Sequence, residues 1–88
     1  MYISVEISFY PLADEFKPAV NDVIAKLNSF PGLEIISNRM STQVFGEFAA
    51  VTSALNESMK WAFDRYDHAI FVTKSMNADR RPKSCENH

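Results

Sequence analysis

Apolar residues in this chain recur first at every second position and then at helical spacing. The order in which these two periods follow one another admits very few folds. Ile3, Val5, Ile7 and Phe9 are apolar while Ser4, Glu6 and Ser8 between them are polar, the pattern of a strand with one buried face. Pro11 ends it. Asp14 and Glu15 then offer carboxylates to the start of a helix whose apolar residues, Phe16, Val20, Val23, Ile24 and Leu27, fall at three- and four-residue steps. A proline is tolerated only in the first turn, so Pro18 places the helix start near Glu15, and Pro31-Gly32 stops it after about Ser29. Leu33 to Asn38 is a short strand, and Ser41 to Phe48 alternates again. The polar step at Asn38 and Arg39 is too short for a crossover, so these two strands form an antiparallel hairpin. After Gly46 the spacing turns helical through Val51, Leu55, Met59, Ala62 and Phe63, ending near Tyr66. His68 to Lys74, with Ala69, Ile70, Phe71 and Val72, is a fourth strand.

Strand, helix, strand, strand, helix, strand is the split βαβ order, so the fold class is α+β: a ferredoxin-like βαββαβ sandwich. Right-handed crossovers put both helices on one face of a four-stranded antiparallel sheet, with the first and third strands in the middle. The expected organisation is one domain over residues 1–75 and a loose polar tail over 76–88. The other face of the sheet is left without a helix. By alternation it carries Tyr2, Ser4, Glu6, Ser8 and Tyr10 from the first strand and Ser41, Gln43, Phe45 and Glu47 from the third.

Composition excludes several function classes. The 88 residues are 47% hydrophobic and 23% charged, an ordinary globular balance rather than a disordered or repetitive one. A formal charge of -2 has the wrong sign and size to hold a polyanion, so nucleic acid is not an expected partner. One cysteine, Cys85, allows neither an internal disulfide nor a thiolate cluster and suits a reducing compartment. The N-terminus has no basic leader and no apolar run is long enough to span a bilayer, so the expectation is a soluble cytoplasmic protein. The chain has no GxGxxG, Walker, HExxH or GxSxG motif, and its two histidines, His68 and His88, have no evident ligand partners. No metal, cofactor or catalytic residue is therefore expected. Asp79-Arg80-Arg81 reads as a solvated run in the tail, and Trp61 and Phe63 read as helix-packing residues. So short a chain is marginal as a monomer, which favours a homo-oligomer, a dimer or tetramer joined through sheet faces.

Glu6 sits mid-way along a central strand on the side away from the helices, and its charge needs a partner. One reading is a carboxylate in water or at the rim of an oligomer interface. The sharper reading is that Glu6, or Glu47 on the third strand, receives a cationic or amino-heterocyclic ligand, with Tyr10 and Phe45 supplying aromatic faces. Ser8, Asn38, Ser41, Thr42 and Gln43 then supply orienting hydrogen bonds. Strict alternation turns Thr42 inward, so its part in a site requires a position at the sheet edge or under a helix end.

The segment Ile7-Ser8-Phe9-Tyr10-Pro11-Leu12-Ala13-Asp14-Glu15-Phe16, followed by Met40-Ser41-Thr42-Gln43-Val44-Phe45-Gly46, resembles the YkoF-type thiamine/hydroxymethylpyrimidine-binding proteins. A strand ending in Tyr-Pro-Leu and a Ser-Thr hairpin strand ending in Gly carry the resemblance, which reaches over roughly residues 3 to 75. It also extends to a broader group of small thiamine-binding proteins. What it implies is a ferredoxin-like domain that binds thiamine or its pyrimidine precursor without turnover, in vitamin B1 uptake or salvage. The chain departs from the YkoF type in carrying one such domain where that type has two in tandem, so a dimer or a tetramer of stacked sheets must replace the tandem pair.

Two other classes compete with this reading. A dimeric α/β-barrel monooxygenase or isomerase also packs ferredoxin-like sheets around a pocket, but it needs a histidine, asparagine or tryptophan there, and the open face offers only Asn38 at its margin. An assembly module with no small ligand fits the open face as well.

Overall fold

A computed structural model of the chain describes residues 1–11, 17–38, 41–66 and 68–80. Its elements are β1 (Tyr2–Pro11), α1 (Lys17–Asn28), β2 (Glu34–Ser37), β3 (Thr42–Glu47), α2 (Phe48–Arg65) and β4 (Ala69–Met76). The strands form one sheet in the order β2-β3-β1-β4, with every neighbouring pair antiparallel. This is the ferredoxin-like α+β arrangement that the alternating periods imply. The expected helix start near Glu15, the stretch Leu12 to Phe16, the turn residues Arg39 and Met40, and the tail from Arg81 to His88 with Cys85 lie outside the described residues.

Alternation sorts β1 cleanly. Ile3, Val5 and Ile7 are buried, and they form the core together with Val23 and Leu27 of α1, Val44 of β3, and Val51 and Ala62 of α2. Ser4, Glu6 and Ser8 turn the other way and are only partly covered. Beside the core, Phe9, Phe71, Phe63 and Tyr66 form a chain of rings with centroids 4.7 to 6.0 Å apart. Phe63 meets Phe71 edge-on from an exposed position, so it packs on the rim of the core rather than inside it.

Two glycines are required by geometry. Gly32 ends the turn after α1 at φ 81°, a left-handed conformation that side chains resist. At Gly46 a Cβ would lie 2.8 Å from Leu33 Cδ2 and 3.3 Å from both the Gly32 carbonyl oxygen and Val51 Cγ2, so a methyl there would force the Leu33 side chain to shift. The start of α2 is tied to the start of β1. The Phe48 N–H donates to the Met1 carbonyl at 2.8 Å, and the Met1 ammonium donates to Glu47 Oε2 at 3.0 Å.

Two departures from the expected boundaries shape the site. β1 pairs with β3 only as far as Ile7, opposite Thr42, yet it pairs with β4 as far as Pro11, opposite Ala69. Ser8 to Pro11 therefore overhang the end of β3. At the other end β4 continues past Lys74 to Met76, and the chain then turns back over the open face. Ser4 Oγ donates to the Ala78 carbonyl at 2.6 Å and accepts from the Arg80 N–H at 2.8 Å. A polar stretch without periodicity is held here because one hydroxyl on a central strand offers both a donor and an acceptor to its backbone.

Candidate functional site

The overhang of β1 opens a hollow. Where Ser8 to Tyr10 run on without β3 beside them, α1 closes one side and the start of the hairpin the other, leaving a space of about 230 Å³. Val20, Val23, Ile24 and Leu27 of α1 give it an apolar wall, and Ser8, Tyr10, Asn38, Ser41 and Thr42 give it a polar rim. These five are the majority of the residues that sequence reasoning singled out. Thr42 does face inward, as alternation requires, and it reaches the hollow because the hollow lies at the sheet end, under α1. Its hydroxyl lies 3.0 Å from that of Ser37. Asn38 and Ser41 close the hairpin: the Asn38 N–H donates to the Ser41 carbonyl, and the Ser41 N–H donates to Asn38 Oδ1, both at 3.0 Å. Tyr10 is about half exposed at this rim, 54% of its surface being open to solvent.

Glu6, Gln43 and Phe45 belong to a second space on the open face, a shallow hollow of about 460 Å³ shared with Ser4, Lys74 and Arg80. Glu6 and Gln43 are directly opposite one another across β1 and β3. The two spaces are connected through Glu6, whose Oε2 accepts from Ser41 Oγ at 3.1 Å. On its other side Glu6 meets Lys74, its register partner on β4, at 4.0 Å. Its charge thus has a cation of the protein's own, though an exposed one.

The single wall expected from the sequence is therefore split. Phe45 faces the open side as its parity demands, yet it is 3% exposed and is not a free stacking surface. Its register partner Ser4 is fastened to the returning segment at Ala78 and Arg80, and Arg80 lines the same hollow as Phe45. Glu47 lines neither hollow. It lies five register steps from Thr42, roughly 17 Å along the strand, bound to the N-terminal ammonium.

Lys74, Arg80, Val20 and Ile24 also line these spaces, and none of them is among the residues that polarity and parity single out. The signal for Lys74 was present: Ile70, Val72, Lys74 and Met76 share one parity of β4, opposite Tyr10, Ser8, Glu6 and Ser4. That parity also makes the β4 part of the open face apolar, with Ile70, Val72 and Met76 each close to half exposed. Arg80 had no such signal, because it reaches the sheet from outside any periodic element. Among the described residues no group of three or more His, Cys, Asp or Glu is placed to hold a metal ion. No helix among them is long and apolar enough to cross a membrane.

No family model matches the chain, and no curated protein matches it. Solved structures do. Protein SP2199 from Streptococcus pneumoniae superposes with a TM-score of 0.80 at 24% identity, covering 91% of this chain and 90% of its own. Hypothetical protein MJ1052 from Methanocaldococcus jannaschii gives 0.77 at 17% identity, over 96% and 88% of the two chains. TM0486 from Thermotoga maritima, a candidate thiamine biosynthesis/salvage protein, gives 0.76 at 17% identity, over 92% and 85%. At these identities the likeness is one of fold.

Proposed function

We propose that the chain binds thiamine or its hydroxymethylpyrimidine moiety, without turning it over, in the hollow between α1 and the overhanging end of β1. The observation that carries this reading is the gathering of Ser8, Tyr10, Asn38, Ser41 and Thr42 around one apolar-walled space. An aminopyrimidine is a flat ring with paired donors and acceptors. It needs an apolar slot lined at its mouth by hydroxyls and an amide, and that is the chemistry of this rim. A thiazolium cation beyond the ring is favoured by the Tyr10 face and by the carboxylate of Glu6, which is hydrogen-bonded to Ser41 at the same rim. The fold likeness to TM0486 agrees with this ligand class. The role that follows is cytoplasmic uptake or salvage of vitamin B1, by a binding protein rather than an enzyme.

The same reading makes the protein a homo-oligomer, because Tyr2, Ile70, Val72 and Met76 expose apolar surface that a second sheet would cover. Calorimetric titration with thiamine, hydroxymethylpyrimidine and thiamine phosphate tests the ligand. Saturable binding that falls about tenfold in Tyr10→Ala supports it, and no heat from any of the three at millimolar concentration rejects it. Native mass spectrometry of the same samples counts the subunits and identifies any ligand carried through purification. A pure assembly module is the second reading, and the apolar β4 residues favour it. Oligomers with no ligand affinity would select that one.

A further inference from the structure

The charges of the open-face hollow follow an order along the sheet. Glu6 stands two residues from Ser8 on β1, roughly 7 Å from the polar rim of the other hollow. Lys74 is the register partner of Glu6 on β4, and Arg80 lies further on, its backbone N–H bonded to Ser4 Oγ. One carboxylate followed by two cations thus leads away from the rim, all three lining one space of about 460 Å³. These groups are open to a ligand: the Glu6 side chain is 44% exposed and that of Lys74 is 80% exposed. Their contact at 4.0 Å is long and solvated, so the ammonium loses little by turning to another anion. Among the described residues no carboxylate pairs with the Arg80 guanidinium. Two cations against one carboxylate leave this hollow with an excess of positive charge on a chain whose formal charge is -2.

We infer that the preferred ligand carries a phosphate monoester beyond its cationic centre, and that Lys74 and Arg80 hold this phosphate in the open-face hollow. This rests on the proposed seating of the aminopyrimidine ring in the hollow at the β1 end. Thiamine phosphate presents a neutral ring, a cation and an anion in that order. The protein presents an apolar slot, the Glu6 carboxylate and then Lys74 and Arg80 in the same order. Each charge of the ligand therefore meets its opposite without a change of direction. Lysine contributes a point charge and arginine a planar fork, and both form charge-assisted hydrogen bonds to phosphate oxygens. Gln43, half-buried and opposite Glu6, adds an amide donor on the same face. Val72 and Met76 flank Lys74 on β4, so a second sheet laid over them would enclose the hollow and strengthen these pairings.

The test is calorimetric titration of the full chain with thiamine and with thiamine phosphate at low salt, followed by amide NMR shifts on the same samples. Thiamine phosphate should bind about tenfold tighter than thiamine and should shift Lys74 and Arg80, which thiamine leaves in place. Lys74→Gln and Arg80→Gln together should bring the two ligands within about twofold of each other, and added salt should narrow the gap in the parent chain. Both positions are exposed and the bond to Ser4 comes from the backbone of residue 80, so the double variant is expected to keep its fold. Tyr10→Ala acts on the ring end and should weaken both ligands alike. Thiamine bound with thiamine phosphate no tighter overturns the proposal and leaves the ring site standing. A tenfold advantage that survives in the double variant also overturns it, because the phosphate is then held elsewhere. If neither ligand binds, the ring site falls and the phosphate site falls with it.

Discussion

The two faces of this sheet are built from the same strands, and they obey different rules. On the helix side Ile3, Val5 and Ile7 of β1 are 2–4% exposed and pack against both helices. On the open side Ser4, Glu6 and Ser8 are half-buried, and the contacts there are hydrogen bonds and one long ion pair. Cohesion comes from the first face, by apolar burial and close packing. Apart from the buried Phe45 ring, the second face is held by polar contacts, and it carries most of the chemistry. The hollow at the β1 end draws on both, because there the strand outruns its neighbour and α1 side chains meet hairpin hydroxyls. A site of this kind needs no long loop: two strands of unequal reach are enough.

That contrast predicts effects of very different size. Val5→Asp places an unpaired charge in the core and should remove more than about 4 kcal/mol, so that circular dichroism at room temperature shows a largely unfolded chain. A cooperative melt near that of the parent would break the comparison. Gly46→Ala also acts on the helix side, where its methyl would meet Leu33 and Val51. A loss of about 1–3 kcal/mol is expected in urea unfolding, and it should be partly restored by adding Leu33→Ala. On the open side Ser4→Ala removes two hydrogen bonds, and about 1 kcal/mol is expected. The sharper readout is local: hydrogen exchange should quicken at Arg80 while Val5 and Val44 stay protected. Glu6→Gln should be smallest, below about 0.5 kcal/mol, because the Lys74 contact is long and exposed and a glutamine oxygen still accepts from Ser41. A loss of several kcal/mol there would show that the open face stabilises the fold after all.

Most of the fold was legible before any coordinates. Alternation through Ile3 to Phe9 gave the sidedness of β1, the short step at Asn38 forced the hairpin, and helical spacing located α2 to within two residues of its end. The site was legible only in part. Ser8, Tyr10, Asn38, Ser41 and Thr42 could be named from polarity and register, and they do converge. Phe45 and Glu47 shared the right parity but fell elsewhere, one buried beside the open-face hollow and one at the N-terminal corner. Parity tells which face a residue points to, but not how far along the strand it sits from the others or what lies over it.

What the amino-acid order decided alone is the set of local periods, and with them the elements, their sequence and the two faces. These follow from backbone geometry, which repeats every two residues in a strand and every 3.6 or so in a helix. Only the tertiary structure decided where β1 outruns β3, and that residues 78–80 come back to Ser4. Those are outcomes of contacts between residues as many as 76 positions apart. Such contacts form when the assembled sheet brings their groups within reach, and no spacing along the chain records them.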